Sequence, residues 1–140
     1  MKDKVKEKFL LIANQPKSLL NFRGNLIRAL INEDLEVHVV APDLNSNTLR
    51  KQQLESLGAV THEVSLMRTG MNPISDLRTI FQLWHLMLKI KPTYSLGYTH
   101  KPVIYGNLAA MIAGVPKRFA LITGVGYTFL SKKSFLKKIF

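Results

Sequence analysis

Thr99, His100 and Lys101, in "LGYTHKPVIYGNLAAMIAGVP", set a hydroxyl, a near-neutral acid or base and a cation side by side. Such a set can orient a hydroxylated substrate, exchange a proton near neutral pH and hold an anion. Arg68, Gly70 and Asn72 in "MRTGMNP" combine a cation with a turn ahead of a helix, a place suited to an anion. Gly124 and Gly126 in "TGVGYTF" either let a backbone approach a ligand or simply allow a turn. Asp43 follows an apolar run, where dinucleotide-binding folds keep a ribose-binding acid. No G-x-G-x-x-G or Walker A pattern accompanies it, so it reads as a cap or turn residue.

The same residues exclude several chemistries. A nicotinamide dehydrogenase lacks its phosphate-binding glycines here, and a phosphoacceptor receiver lacks its acidic pair after the first strand. Cysteine is absent, which removes disulfides and thiolate metal sites. His38 and His62 fall in strands, His85 on a helix and His100 in a loop, with no spacing that gathers metal ligands. His38 and His62 read as packed or surface strand residues.

These residues need elements to position them. Phe9 to Ala13 and "EVHVVAP" are apolar runs of the kind found in strands buried on both faces. Between them Leu19, Phe22, Leu26, Ile27, Leu30 and Ile31 recur at helical spacing, which predicts a crossover helix and hence a βαβ unit. Asp43 with Ser46 or Asn47 caps a polar helix that Gly58 ends. "AVTHEVSL" follows as a third strand, Pro73 to Ile90 as a long amphipathic helix stopped at Lys91-Pro92, and "TYSLGY" as a fourth strand. Pro102 suits the first turn of a fourth helix whose Gly106, Ala109, Ala110 and Ala113 let it lie close to a sheet. Gly114 and Pro116 end it, and "RFALIT" is a fifth strand. Alternating strands and helices predict an α/β, Rossmann-like, doubly wound and mostly parallel sheet, with ligands outside the carboxyl ends of its strands. The loops to inspect are therefore "NQPKSLLNFRG", "APDLNSN", "MRTGMNP", "GYTHKP" and "TGVGYTF".

The chain has 140 residues, 46% of them hydrophobic, which suits one domain with a real core. Its formal charge of +11 points to an anionic partner: nucleic acid, a phosphorylated substrate or an acidic membrane surface. The lysines gather at the ends and no recognition helix or aromatic strand motif occurs, which argues against nucleic acid. The apolar start is too short for a signal peptide, so a cytoplasmic protein is expected. From Phe129 to Phe140 four lysines interleave with phenylalanine, leucine and isoleucine, the start of a basic amphipathic helix that looks unfinished. A chain that continues is the expectation.

Four ordered blocks, "FRGNLIRALINEDLEVHVVAPD", "RTGMNPISDLRTIFQLWHLMLKIKPT", "LGYTHKPVIYGNLAAMIAGVP" and "LITGVGYTF", resemble the N-terminal half of bacterial glycosyltransferases of family 4. They look closest to the branch that extends lipid-linked oligosaccharides for capsules, O-antigens or glycoproteins. The resemblance runs from about Phe9 to Phe129. It implies the GT-B fold, with residues 1–140 as the Rossmann-like acceptor domain and the C-terminal nucleotide-sugar domain outside this chain. The activity implied is transfer of a hexosyl or N-acetylhexosaminyl group from a nucleotide-sugar donor, a co-substrate rather than a cofactor, to a lipid-linked saccharide. This half alone would be inactive. The resemblance also implies a peripheral position on the inner face of the cell membrane, against an anionic surface. It carries cleft-lining roles to Asn21, Arg23 and Gly24, to Arg68, to Thr99, His100 and Lys101, and to Thr123 and Gly124. Some relatives bear a catalytic or assisting histidine where Thr123-Gly124 stand here, so no residue is assigned the catalytic role and no metal is expected. "NED" stands where the family has a glycine between the first helix and second strand, so Asn32 or Asp34 must accept an awkward backbone conformation. The alternative reading is a non-catalytic Rossmann-like module that binds a phosphorylated ligand.

Overall fold

The computed structural model of this chain describes residues 6–21, 23–66 and 72–122. Strands β1 (Lys8–Ile12), β2 (Glu36–Ala41), β3 (Val60–Glu63), β4 (Tyr94–Tyr98) and β5 (Lys117–Leu121) alternate with helices α1 (Pro16–Asn21), α2 (Gly24–Asn32), α3 (Thr48–Ser56), α4 (Pro73–Ile90) and α5 (His100–Ala113). All pairings are parallel, in the order β3-β2-β1-β4-β5. The central strand β1 is the most apolar, because both of its faces are covered.

Alternation along each strand sorts the core into two layers. Leu11, Val37 and Val39 face α1, α2 and α3 through Leu19, Ile27 and Leu54. Leu10, Ile12 and Val40 face α4 and α5 through Leu83, Met87, Ala109 and Ala110. The doubly wound sheet expected from the sequence is the observed one. The small face of α5 also behaves as read: Gly106, Ala109 and Ala110 are buried.

The first crossover differs from the single helix that its periodicity suggests. It is split into α1 and α2, with Arg23 at φ −121°, ψ 3° as the N-cap of α2. Asn21 and Gly24 flank the break and favour helix ends over helix interiors, so the apolar rhythm continues through a chain that turns. Phe22, which belongs to that rhythm, lies outside the described residues.

The turn chemistry was legible. Asp34 takes the left-handed conformation (φ 65°) where the resemblance lacks its glycine, and Asp43 does the same (φ 61°) as a turn residue. Asn47 caps α3 by accepting from the Arg50 amide, Gly58 leaves α3 at φ 104°, and Lys91 ends α4 at φ 57°.

Candidate functional site

The sheet order reverses between β1 and β4, which opens the crevice where ligands of such sheets bind. β4 turns into α5 through one residue, Thr99, held at φ 70°, ψ 168°. For a β-branched side chain that conformation costs about 1–3 kcal/mol, and such strain persists where surrounding structure enforces it. Extending the pairing of Ile12 with Gly97 brings Asn14 beside Thr99. Asn14 Oδ1 and Thr99 Oγ1 are buried with no hydrogen-bond partner among the described residues. Strain and unmet polar atoms thus coincide at the reversal point, a combination that suits a site awaiting a polar ligand.

Next to them Tyr98 ends β4, 2% exposed. Its hydroxyl lies 2.9 Å from Ser18 Oγ, and that serine donates to the Gln15 carbonyl at 2.9 Å. The one serine proton is thereby used, so the tyrosine donates to the serine. Burial pushes the Tyr98 phenol up to about 12, against the opposing effects of Ser18 and Arg23. The Arg23 guanidinium lies over the Tyr98 ring, 4.7 Å from its centroid.

His100 is exposed at the start of α5 and lines an apolar recess of about 140 Å³ with Thr99, Val103, Ile104 and Ile122. Lys101 is turned elsewhere. Its Nζ stands 3.2 Å from Asp76 Oδ1, with the two side chains 16% and 17% exposed. The Tyr105 hydroxyl bonds the same carboxylate, which raises the phenol's pKa above its ordinary value. Lys101 therefore ties α5 to α4. Asn21 is exposed at the end of α1, and Gly24 opens α2 with no heavy atom within 4 Å of where a Cβ would stand. Arg68, Thr123 and Gly124 lie outside the described residues. Asn72, read from sequence as part of an anion-binding turn with Arg68, spends its side-chain oxygen capping α4, accepting from the Ile74 and Ser75 amides at 3.2 and 3.3 Å.

A second, polar recess lies beyond β2 and β3, lined by residues that include Asp43, Glu63, Ser65, Ser75 and Gln82. Its groups hold one another: Glu63 accepts from both the amide and the side chain of Asn45, and Gln82 accepts from the Ser65 amide. Away from this edge His38 donates from Nε2 to the Glu36 carboxylate at 2.7 Å, and its Nδ1 lies 2.9 Å from His62 Nε2. Those three groups form a line rather than converging. Among the described residues no three acidic or histidine side chains gather as metal ligands.

The sequence singled out Thr99, His100 and Lys101 at the carboxyl edge of the sheet; Asn14, Ser18 and Tyr98 lie in loops it marked at that edge but were not singled out. A tyrosine in a buried strand was the available signal, because its hydroxyl must find a partner.

Comparison with known proteins gives this edge a context. The model of the family described as "Glycosyl transferase 4-like" matches residues 8–140. The chain belongs to that family. An N,N'-diacetylbacillosaminyl-diphospho-undecaprenol alpha-1,3-N-acetylgalactosaminyltransferase of Campylobacter jejuni is 30% identical over 115 residues, covering 82% of this chain and 30% of the relative. Among solved structures, MurG of Acinetobacter baumannii superposes with a TM-score of 0.64 at 16% identity, over 89% of this chain and 38% of its own. The calicheamicin glycosyltransferase CalG4 gives 0.59 at 11%, over 96% and 37%. These GT-B enzymes share the fold with this glycosyl transferase 4-like chain, which spans about a third of the length of each relative.

Proposed function

We propose that this chain is the acceptor-binding half of a glycosyltransferase that moves a hexosyl or N-acetylhexosaminyl group from a nucleotide-sugar donor to a lipid-linked saccharide. The observation that carries the reading is the 115-residue match to a transferase whose name includes a diphospho-undecaprenol-linked sugar. In this proposal the β1–β4 crevice receives the acceptor, with Asn21, Arg23, Gly24, Thr99 and His100 around it. Arg68, Thr123 and Gly124, outside the described residues, are assigned to the same cleft on the family resemblance alone. Donor binding is assigned to a C-terminal half and the catalytic group is left unassigned, so residues 1–140 alone do not turn over.

The charge distribution supports an anionic acceptor. Residues 13–25, which run from the end of β1 into α2, contain no aspartate or glutamate but include Lys17 and Arg23. Glu7 precedes β1, Glu33 and Asp34 follow α2 and Glu36 opens β2, at the opposite edge.

The test is a transfer assay with radiolabelled nucleotide sugars and a polyprenyl-diphosphate-linked saccharide, run on this chain alone and on it joined to the donor-binding half of the Campylobacter relative. Transfer by the joined protein alone is expected, with a loss of at least about 10-fold on His100→Ala if the histidine touches acceptor. No transfer with any donor, combined with binding of a phosphorylated ligand, would instead favour the non-catalytic module.

A further inference from the structure

We infer that the apolar recess between the start of α5 and the end of β5 receives an acetamido group of the acceptor saccharide, with its methyl against Val103, Ile104 and Ile122 and its amide on His100. The inference rests on the acceptor-site reading and names a group by which the acceptor is chosen. His100, Val103 and Ile104 stand three and four residues apart, so the first turn of α5 offers them on one side. Extending the pairing of Tyr98 with Leu121 sets Ile122 beside Thr99. The recess therefore opens at the carboxyl edge of the sheet, next to the β1–β4 reversal.

The recess selects by its size and by what its wall lacks. Its volume of about 140 Å³ is close to that of an apolar cavity that admits a single benzene ring. No charged side chain lines it among the described residues, so nothing there offsets the burial of an ion. Bare sugar hydroxyls fare no better against Val103, Ile104 and Ile122, because each gives up water without gaining a partner. A prenyl tail has the right polarity, but this space holds about one isoprene unit of a continuous chain and leaves the imidazole unused. An acetamido group is smaller than that limit and carries both characters, a methyl at one end and an amide at the other. The Thr99 hydroxyl oxygen is itself buried. His100, exposed at the mouth and without a hydrogen-bond partner among the described residues, is thus the polar group that the recess presents. Its imidazole supplies a donor nitrogen for the amide carbonyl. Ile104 and Ile122 remain 60% and 70% exposed. The acetyl methyl covers apolar surface that the chain leaves in water, a gain that a hydroxyl at the same sugar position does not bring.

The experiment titrates this chain, with its valine and isoleucine methyls labelled for NMR, against methyl N-acetylglucosaminide and, separately, methyl glucoside. The acetylated glycoside is expected to shift the Val103, Ile104 and Ile122 methyl signals and to show cross-relaxation between its acetyl methyl and theirs, whereas the plain glycoside does neither. His100→Ala should weaken the acetylated glycoside about 3- to 10-fold, the worth of one hydrogen bond, and His100→Asn, which keeps a donor, should recover part of that. Val103→Phe fills the recess and should abolish binding. If Val103→Phe does not fold, Ile104→Ser on the exposed side of the wall decides, with an expected loss of about 3-fold or more. Equal shifts from both glycosides overturn the inference, as does the absence of any shift below about 20 mM. So does cross-relaxation from the prenyl methyls of citronellyl phosphate that the acetylated glycoside fails to displace. In the joined protein, kcat/KM for an N-acetylated lipid-linked acceptor should exceed that for its unacetylated counterpart by about 10-fold in the parent and by much less in Val103→Phe or Ile104→Ser. Equal transfer to both acceptors by the parent overturns the inference while leaving the transferase reading intact. Acetyl-dependent binding without any transfer does the reverse.

Discussion

A methyl group on Gly97 would stand 2.5 Å from the Pro102 carbonyl oxygen and 2.9 Å from its carbon. The first turn of α5 rides directly on the end of β4, and only a residue without a Cβ leaves room. Gly97→Ala is expected to lower stability by about 1–3 kcal/mol, because backbone and not a flexible side-chain tip must yield. Denaturant unfolding measures it, and an unchanged midpoint would contradict the packing. Gly24 is the opposite case. A Cβ there meets nothing, and alanine is the better helix former, so Gly24→Ala should stabilise the chain by about 0.5–1 kcal/mol. If ligand fills that space, the same variant binds acceptor more weakly while melting higher. Gain of stability with loss of binding separates a ligand-facing glycine from a structural one, and unchanged binding removes Gly24 from the site.

At the scale of elements, α4 and α5 are joined by Lys101, Asp76 and Tyr105, and this decides what a Lys101 variant reports. Lys101→Met leaves a mostly buried carboxylate without its cation, so about 1–2 kcal/mol of stability should go, with Asp76→Leu added to it recovering part. A double-mutant cycle in thermal unfolding measures the coupling; additive losses would dismiss the tie. Strands β2 and β3 carry a pH-dependent contact. His62 faces His38 on β2 and Lys89 on α4, with Glu36 beyond His38, and burial followed by those two charges lowers its pKa to about 4. The unfolded chain therefore takes up this proton first, between about pH 6.5 and 4. Stability is complete above pH 6.5 and falls as the pH approaches 4, by something on the order of 1 kcal/mol, since the ring is half in water and the full shift overstates it. Unfolding curves from pH 7 to 4 should show a loss that His62→Gln reduces; an identical slope in the variant would clear His62.

Much of this organisation could be read from residues alone, for a physical reason. Buried parallel strands are runs of apolar residues, and their turns need Asp34, Gly58 or Gly114, so elements and edge announce themselves locally. The split between α1 and α2 did not, because hydrophobic rhythm is insensitive to a break as short as the two residues between Asn21 and Gly24. Nor did the partner of Lys101, 25 residues away, or the contact of Ser18 with Tyr98, 80 residues away. Such contacts are created by sheet order, and spacing along the chain does not encode it.

On the molecule as a whole, the helix layer formed by α4 and α5 presents apolar residues outward. Ile74 (82% exposed), Leu77, Phe81 and Leu88 recur along one stripe of α4, and Ile104, Leu108 and Met111 along α5. Arg78, Lys89 and Lys91 are exposed on or beside α4, in a chain of net charge +11. No helix among the described residues is long and apolar enough to cross a membrane. Apolar side chains flanked by cations suit the interface of an anionic bilayer, where a lipid-linked acceptor would have its tail. We therefore expect this chain to co-sediment with vesicles containing phosphatidylglycerol and much less with phosphatidylcholine alone. Raising salt from about 0.1 to 1 M should weaken binding by screening without abolishing it, because burial of Ile74 and Phe81 is not screened. Ile74→Ser with Phe81→Ser should remove the salt-resistant part, and Arg78→Gln with Lys89→Gln the salt-sensitive part. If both double variants sediment like the parent, the surface on α4 is not what meets the lipid, and residues 129–140 become the segment to vary next.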